Sequence, residues 1–453
     1  MHSLRPILLV FLAAALAAPA GAQTKPWTGA SVVNDPEWRK RFLGSYGFLS
    51  GAEPQIDAAE LEVLREVIEV MKANPAAAAE MLKQQTGEGS SAALDFILAN
   101  LEFQGGELEA AKEHYQSALK KFPDFRRAHK NLGLLLVQQS EFAAALQHLS
   151  RAAELGDRDG RTYGLMGYCY ITLENHLAAE MAYRQAVLQE PETRDWKLGL
   201  ARAQLALEHF KDAAGLFESL IEADPSDPTP WLLQANAYVG LDQPRKAAVN
   251  LEAVRALGKA RSSSLVLLGD IYMNAGMTEL AKGAYLEVIE TDAKGAQFDT
   301  AYRAADLLVR TRAYGDAEEV LASIGKRYGG LSEEDELRVL TLEAKLARAQ
   351  GRGEQAAGLL QSIVERDGTR GDALLELASY HRSQDRLEKA VLLIERAEKL
   401  DAFEYQAYLE HAQLLVSEKQ YGAAAQYLRK ALDIKREPRV ELFLSRVEQA
   451  ARG

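Results

Sequence analysis

Residues Tyr163–Pro191 read YGLMGYCYITLENHLAAEMAYRQAVLQEP. Three of them set a spacing that governs most of the chain: Gly167, then Ala179 twelve residues later, then Tyr183 four residues beyond that. Working outward, anchor alanines recur at 111, 145, 179, 213, 247 and 281 in steps of 34, and then at 317, 356, 390 and 424. Twelve residues before each anchor stands a Gly or Ala: Ala99, Gly133, Gly167, Ala201, Ala235, Gly269, Ala305, Ala344, Ala378 and Ala412. Four residues after each stands a large apolar side chain: Tyr115, Leu149, Tyr183, Phe217, Leu251, Tyr285, Leu321, Leu360, Ile394 and Leu428. Small residues let two antiparallel helices approach closely, and a bulky residue one turn on fills the groove between them.

Turn formers such as Gly105-Gly106, Gly240 and Gly276 fall between the small position and the anchor, so each unit reads as helix, short turn, helix. Pro123, Pro191 and Pro225 close three units where the second helix must stop. Gly167, Tyr170, Ala179, Tyr183, Ala186 and Pro191 together resemble the signature of the tetratricopeptide repeat (TPR) family, and Trp231, Ala235, Tyr238 and Ala247 carry its front half in another unit. The resemblance covers residues 92–438 and thins in the later copies, which lack the closing proline. It implies an all-α, right-handed superhelical solenoid of about ten helix-turn-helix repeats. One such hairpin cannot bury its own apolar face, so stability must come from stacking on neighbours.

Around this array the remaining segments take their places. The two unequal steps, 36 and 39, predict longer connections near Thr291–Thr300 and Arg327–Glu336, the second restarted by Ser332 with Asp335. After Pro438, residues 439–453 form a capping helix. Asp57 with Glu60, and then Asn74-Pro75, start the two helices of a degenerate hairpin within 57–91. Residues 23–56 show no period yet contain Trp38, Phe42, Tyr46 and Phe48; they read as a flap over the first hairpin, with docking onto a partner as the alternative.

Residues 1–22 have the three parts of a secretory signal. Arg5 leads, Ile7–Ala18 form the apolar run, and Ala20 and Ala22 predict cleavage before Gln23. The run is shorter than the roughly 20 residues of a membrane span, and a retained anchor is the alternative reading. No later run reaches that length, so the mature chain is expected in the periplasm with no membrane span. The 453 residues are 47% hydrophobic and 26% charged, as in a folded soluble protein. A formal charge of −12 excludes a general nucleic-acid binder, and one cysteine excludes an internal disulfide.

Motifs of chemistry are missing. There is no phosphate-binding loop, no H-E-x-x-H and no G-x-S-x-G. Gly351-x-Gly353 lies in a helix–helix turn and needs no nucleotide. His114 and His148 hold equivalent places in adjacent copies and could lie side by side; they read as solvated, with a metal pair as the alternative. Cys169 reads as a small buried hydrophobe. No enzyme activity and no cofactor are expected.

What remains is recognition. In TPR arrays the first helices line the face that receives a partner peptide, at positions 2, 5, 9, 12 and 13 when the anchor alanine is counted as 20. The resemblance therefore implies a protein-binding groove formed by Phe96, Asn100, Arg127, Lys130, Arg161 and Tyr168, with Asn131 beside them, continuing through Asn236, Asp270 and Arg303; solvated polar residues on a curved face are the alternative. Arg and Lys interleaved with aromatics in an acidic chain suit a carboxylate-bearing peptide. Phe96 and Leu165 occupy two places that a full carboxylate clamp fills with cations.

The segments FLGSYGFLSGAEP (42–54), KKFPDFRRAHKNLG (120–133), YGLMGYCY (163–170), WLLQANAY (231–238) and LVLLGDIY (265–272) are similar to periplasmic TPR components of TonB–ExbB–ExbD systems. That similarity implies an adaptor for the TonB complex or outer-membrane receptors. An assembly scaffold for an envelope machine, serving polysaccharide export or outer-membrane protein complexes, is the alternative.

Overall fold

The computed structural model describes residues 53–292 and 295–452. The expected signal, residues 1–22, and the segment 23–52 lie outside the described residues. Among the described residues there are 23 helices and no strand, arranged in two compact units that divide between Lys259 and Ala260.

The first unit opens with α1 (Ala58–Ala73) and α2 (Pro75–Lys83). The caps are local. The Asp57 carboxylate accepts from the Glu60 amide at 2.8 Å, and Asn74 accepts from the Ala77 amide at 3.2 Å, with Pro75 next in the first turn. Five hairpins follow: α3 (Ala92–Gly105) with α4 (Leu108–Lys121), α5 (Arg126–Gln138) with α6 (Phe142–Glu154), and α7 (Gly160–Thr172) with α8 (His176–Gln189). Then come α9 (Arg194–Ala206) with α10 (Phe210–Ala223) and α11 (Pro228–Gly240) with α12 (Pro244–Ala256).

The second unit has the same grammar. Its hairpins are α13 (Ser262–Asn274) with α14 (Thr278–Thr291), α15 (Phe298–Arg310) with α16 (Tyr314–Arg327), and α17 (Glu333–Ala349) with α18 (Gly353–Arg366). They are followed by α19 (Gly371–Ser383) with α20 (Leu387–Ala397), α21 (Glu404–Ser417) with α22 (Tyr421–Ile434), and a closing α23 (Pro438–Arg452). Val440 and Val447 of α23 are buried against the last hairpin.

The ten anchor alanines are all buried, none more than 4% exposed. The contact expected between the small and the bulky position is made. A Cβ placed on Gly133 would lie 2.6 Å from Leu149 Cγ, and one on Gly167 would lie 2.7 Å from the Tyr183 ring. Tyr183 is held from a second side as well, because Gly199 of the next hairpin presses its bare backbone against the same ring. Close approach requires glycine at both places.

The turns of the ten hairpins from α3 to α22 also repeat a backbone feature that the apolar pattern does not reveal. Gly106, Ser140, Glu174, Glu208, Asp242, Gly276, Arg312, Gly351, Asp385 and Lys419 all have positive φ, between 56° and 86°. Three are glycine; the other seven hold a left-handed conformation that costs an L-residue roughly 1 kcal/mol.

One expectation is corrected in part. The step of 36 does lengthen a connection, residues 292–297. The step of 39 goes mainly into helix: α17 runs for 17 residues where the other first helices run for 13 or 14. Ser332 caps it, accepting from the Asp335 amide at 3.1 Å, and four acidic residues in its first turn favour the extension by opposing the helix dipole.

Candidate functional site

In the first unit the expected groove residues turn inward. All of Ala92–Phe103 on α3 is buried, including Phe96 and Asn100. The Asn100 side-chain oxygen accepts from the Tyr115 hydroxyl at 2.5 Å and from the Asn131 amide at 2.8 Å. Phe96, Asn100 and Asn131 therefore tie the first two hairpins together and do not face a partner. The correction has a physical cause: a helix apolar on all sides is a core element, and its amides must find partners inside the protein.

The cations of the second and third hairpins are engaged too. Lys130 donates to Asp159 at 2.6 Å and Arg161 lies 2.9 Å from the same carboxylate. Burial pushes the Asp159 carboxyl up, but hydrogen bonds from Arg161 and Lys130 outweigh it and bring the group down to about 2. Arg127 pairs with Glu53. Tyr168 packs edge-on against Phe142, with ring centroids 5.7 Å apart. Asn236 is half-buried on α11.

The histidines also depart from expectation. His114 and His148 do not meet, because equivalent places on successive second helices are a whole hairpin apart. His114 Nδ1 contacts the buried Glu102 carboxylate at 2.7 Å. His148 Nδ1 instead meets His129 Nδ1 at 3.0 Å. His129 Nε2 donates to the Pro123 carbonyl at 2.9 Å, which leaves its Nδ1 to accept from His148. Burial, then the neighbouring His129, pushes His148 down to about 4; burial lowers His129 as well. Neither histidine is simply solvated. Among the described residues no cluster of three or more His, Cys, Asp or Glu is placed to hold a metal. Burial pushes the Cys169 thiol up to about 12, out of the reactive range.

The second unit is different. Asp270 accepts from the Tyr285 hydroxyl at 2.7 Å and from Arg303 at 3.3 Å, and Arg303 is exposed. Burial raises the Asp270 carboxyl, against the pull of Tyr285 and Arg303. Farther on, the first helices α17, α19 and α21 and the second helix α18 enclose an open depression of about 550 Å³. Its rim carries Arg348, Ser379, Ser383, Gln406, Leu409 and Gln413, and its floor includes Ala356 and Leu360. These rim residues occupy positions 12, 9, 13, 2, 5 and 9 of the last three copies.

The rim lies at the same positions as the expected groove residues, in copies beyond Arg303. Its charge is balanced, because Arg348 pairs with Glu376 at 3.0 Å and Arg382 with Glu410 at 3.0 Å. Hydroxyls and amides around a leucine suit the polar backbone and small side chains of an extended peptide.

Models described as tetratricopeptide repeat match residues 96–159, 170–237, 262–294, 341–405 and 405–438, together more than half of the chain. The chain belongs to the tetratricopeptide repeat family. Among curated TPR relatives it is similar to the Caenorhabditis elegans tetratricopeptide repeat-containing protein trd-1, 27% identical over 127 residues, covering 28% of this chain and 16% of that one. It is also similar to human intraflagellar transport protein 70A, 25% identical over 224 residues, covering 48% and 33% respectively. The chain spans at most about a third of the length of these relatives.

Solved TPR structures similar to it include YrrB (20% identity, 41% of this chain, 97% of that one, TM-score 0.39). Another is a TPR protein from Parabacteroides merdae (20% identity, 55% and 98%, TM-score 0.35). The families matched are repeat families, and none of them is catalytic.

Proposed function

We propose that this TPR protein is an exported scaffold that binds partner peptides on the face of its first helices, and that it serves as an accessory component of a TonB-type energy-transducing transport system. The observation that carries the peptide-binding part is the open, charge-balanced depression bounded by α17, α18, α19 and α21. Export is supported by the Arg5, Ile7–Ala18 and Ala20-Gly21-Ala22 pattern. The TonB assignment is supported by the five sequence segments similar to periplasmic TPR components of such systems, and it makes the partner the TonB complex or an outer-membrane receptor.

The test is photo-crosslinking in living cells of the source organism from Ser379, with a second probe at Arg161, followed by identification of the captured protein. Recovery of TonB-system proteins from Ser379, abolished when Leu409→Trp fills the depression, is the expected result. Recovery of polysaccharide-export or outer-membrane assembly proteins would move the assignment to an envelope scaffold. A purified protein carrying a stoichiometric small metabolite would overturn both.

A further inference from the structure

Arg127 and Arg161 hold the same place in adjacent copies, yet they are neutralised in different ways. Arg161 takes its carboxylate from Asp159, the residue that caps its own helix. The matching residue ahead of Arg127 is Phe125, and neighbouring Asp124 is engaged by Arg151 at 2.6 Å. Arg127 instead lies over two rings, 5.1 Å from the Phe96 centroid and 5.9 Å from that of Phe125.

Its counter-charge comes from 74 residues upstream. Arg127 Nε is 2.6 Å from one Glu53 oxygen, and Nη2 donates to the other at 2.7 Å. The Arg127 side chain is 15% exposed and that of Glu53 only 5%. Pro54 follows Glu53, steers it toward extended backbone and is itself buried. Ile56 packs against the core of the first unit, and Asp57 then caps α1. Glu53 thus reaches the first helix α5 as the side chain of a short acidic peptide would.

We propose that Arg127, framed by Phe96 and Phe125, is a carboxylate receptor whose resting occupant is Glu53, and that the ligand of the first unit is an acidic peptide that takes Glu53's place. A guanidinium buried between rings cannot be left without a counter-charge at small cost. Displacement of Glu53 therefore demands another carboxylate, and a neutral peptide cannot complete the exchange. The bidentate fork of Arg adds geometric selectivity. This inference rests on the reading of first helices as the peptide-facing surface, but it concerns a different unit from the depression at Ser379.

The test uses the full chain and a fluorescein-labelled synthetic peptide GAEPQI, with GAQPQI as its uncharged counterpart. The Glu53→Gln protein binds GAEPQI at least about tenfold more tightly than wild type does. It ignores GAQPQI and loses the interaction as salt rises. Adding Arg127→Gln abolishes binding, and Arg127→Lys, which keeps charge without the fork, leaves a weakened remnant. In wild type, excess GAEPQI accelerates hydrogen exchange at the Gln55–Asp57 amides.

Equal affinity of wild type and Glu53→Gln, or binding indifferent to both Arg127 variants, overturns the proposal. So does a Glu53→Gln protein that melts lower yet binds no peptide, because Glu53 would then be a permanent staple. If exchange fails while crosslinks from Ser379 persist, only this inference falls. If those crosslinks vanish while GAEPQI still exchanges, the scaffold assignment falls alone.

Discussion

The first two hairpins and the last three use the same five positions of their first helices for opposite purposes. On α3 and α5 those positions include Phe96, Asn100, Phe103 and Leu134, all buried, with Arg127 and Lys130 only half-buried and ion-paired. On α17, α19 and α21 they carry Arg348, Ser379, Gln406 and Gln413, all exposed. A repeat register therefore fixes which way a residue points but not whether anything lies on top of it. Cover is decided residue by residue: aromatic and aliphatic side chains at these places make core, whereas hydroxyls and amides leave an open surface.

The contrast can be broken most forcefully by truncation. Phe96→Ala should cost about 3–5 kcal/mol in urea unfolding, while Gln413→Ala, at another of the five positions on α21, should stay within about 0.5 kcal/mol. Equal costs would erase the distinction between the two ends. Next in size is the shared carboxylate. Asp159→Asn removes the closest carboxylate of both Lys130 and Arg161, leaving them the more distant Asp157 at 4.0 Å and Glu190 at 3.8 Å, and should cost about 1–3 kcal/mol. The wild-type contribution should hold down to the unperturbed carboxylate value and fade only as pH falls from there toward about 2, because the folded value is the depressed one.

A smaller effect separates the units by acid. His148 has its folded value lowered to about 4, so the unfolded chain binds more protons below about pH 6.5. Stability should fall by about 1–2 kcal/mol as pH drops from 6.5 to 4, and His148→Gln should flatten that slope. A slope unchanged in the variant would remove the His129–His148 pair as its source. The smallest effect belongs to the turns. Glu208→Gly relieves a residue at φ 61° and should raise stability by about 0.5–1 kcal/mol, read as a higher melting temperature.

Much of this was legible in the sequence because repeat packing is local. The pairs Gly133 with Leu149 and Gly167 with Tyr183 lie inside one hairpin, and their spacing recurs with the hairpin. The caps at Asp57, Asn74 and Ser332 are local as well. The candidate site was legible only as a set of positions. That Asn100 and Asn131 bond each other is not legible in the sequence, because their direct contact joins two copies, with Tyr115 of Asn100's own hairpin donating to the same oxygen.

The Glu53–Arg127 pair follows no period at all. The histidine pairing was missed because equivalence between copies was read as proximity, whereas a second helix packs on the first helix of its own hairpin. The left-handed turn residue escaped notice because seven of its ten occupants are ordinary polar residues.

Tyr183 carries a consequence for how such arrays diversify. Its ring needs missing side chains on two successive hairpins, Gly167 behind it and Gly199 ahead. Hairpins three and four are therefore not freely exchangeable modules. A recombination event that transplanted α9 without its glycine would jam against the ring, so gene duplication and shuffling should respect this seam and break the array elsewhere.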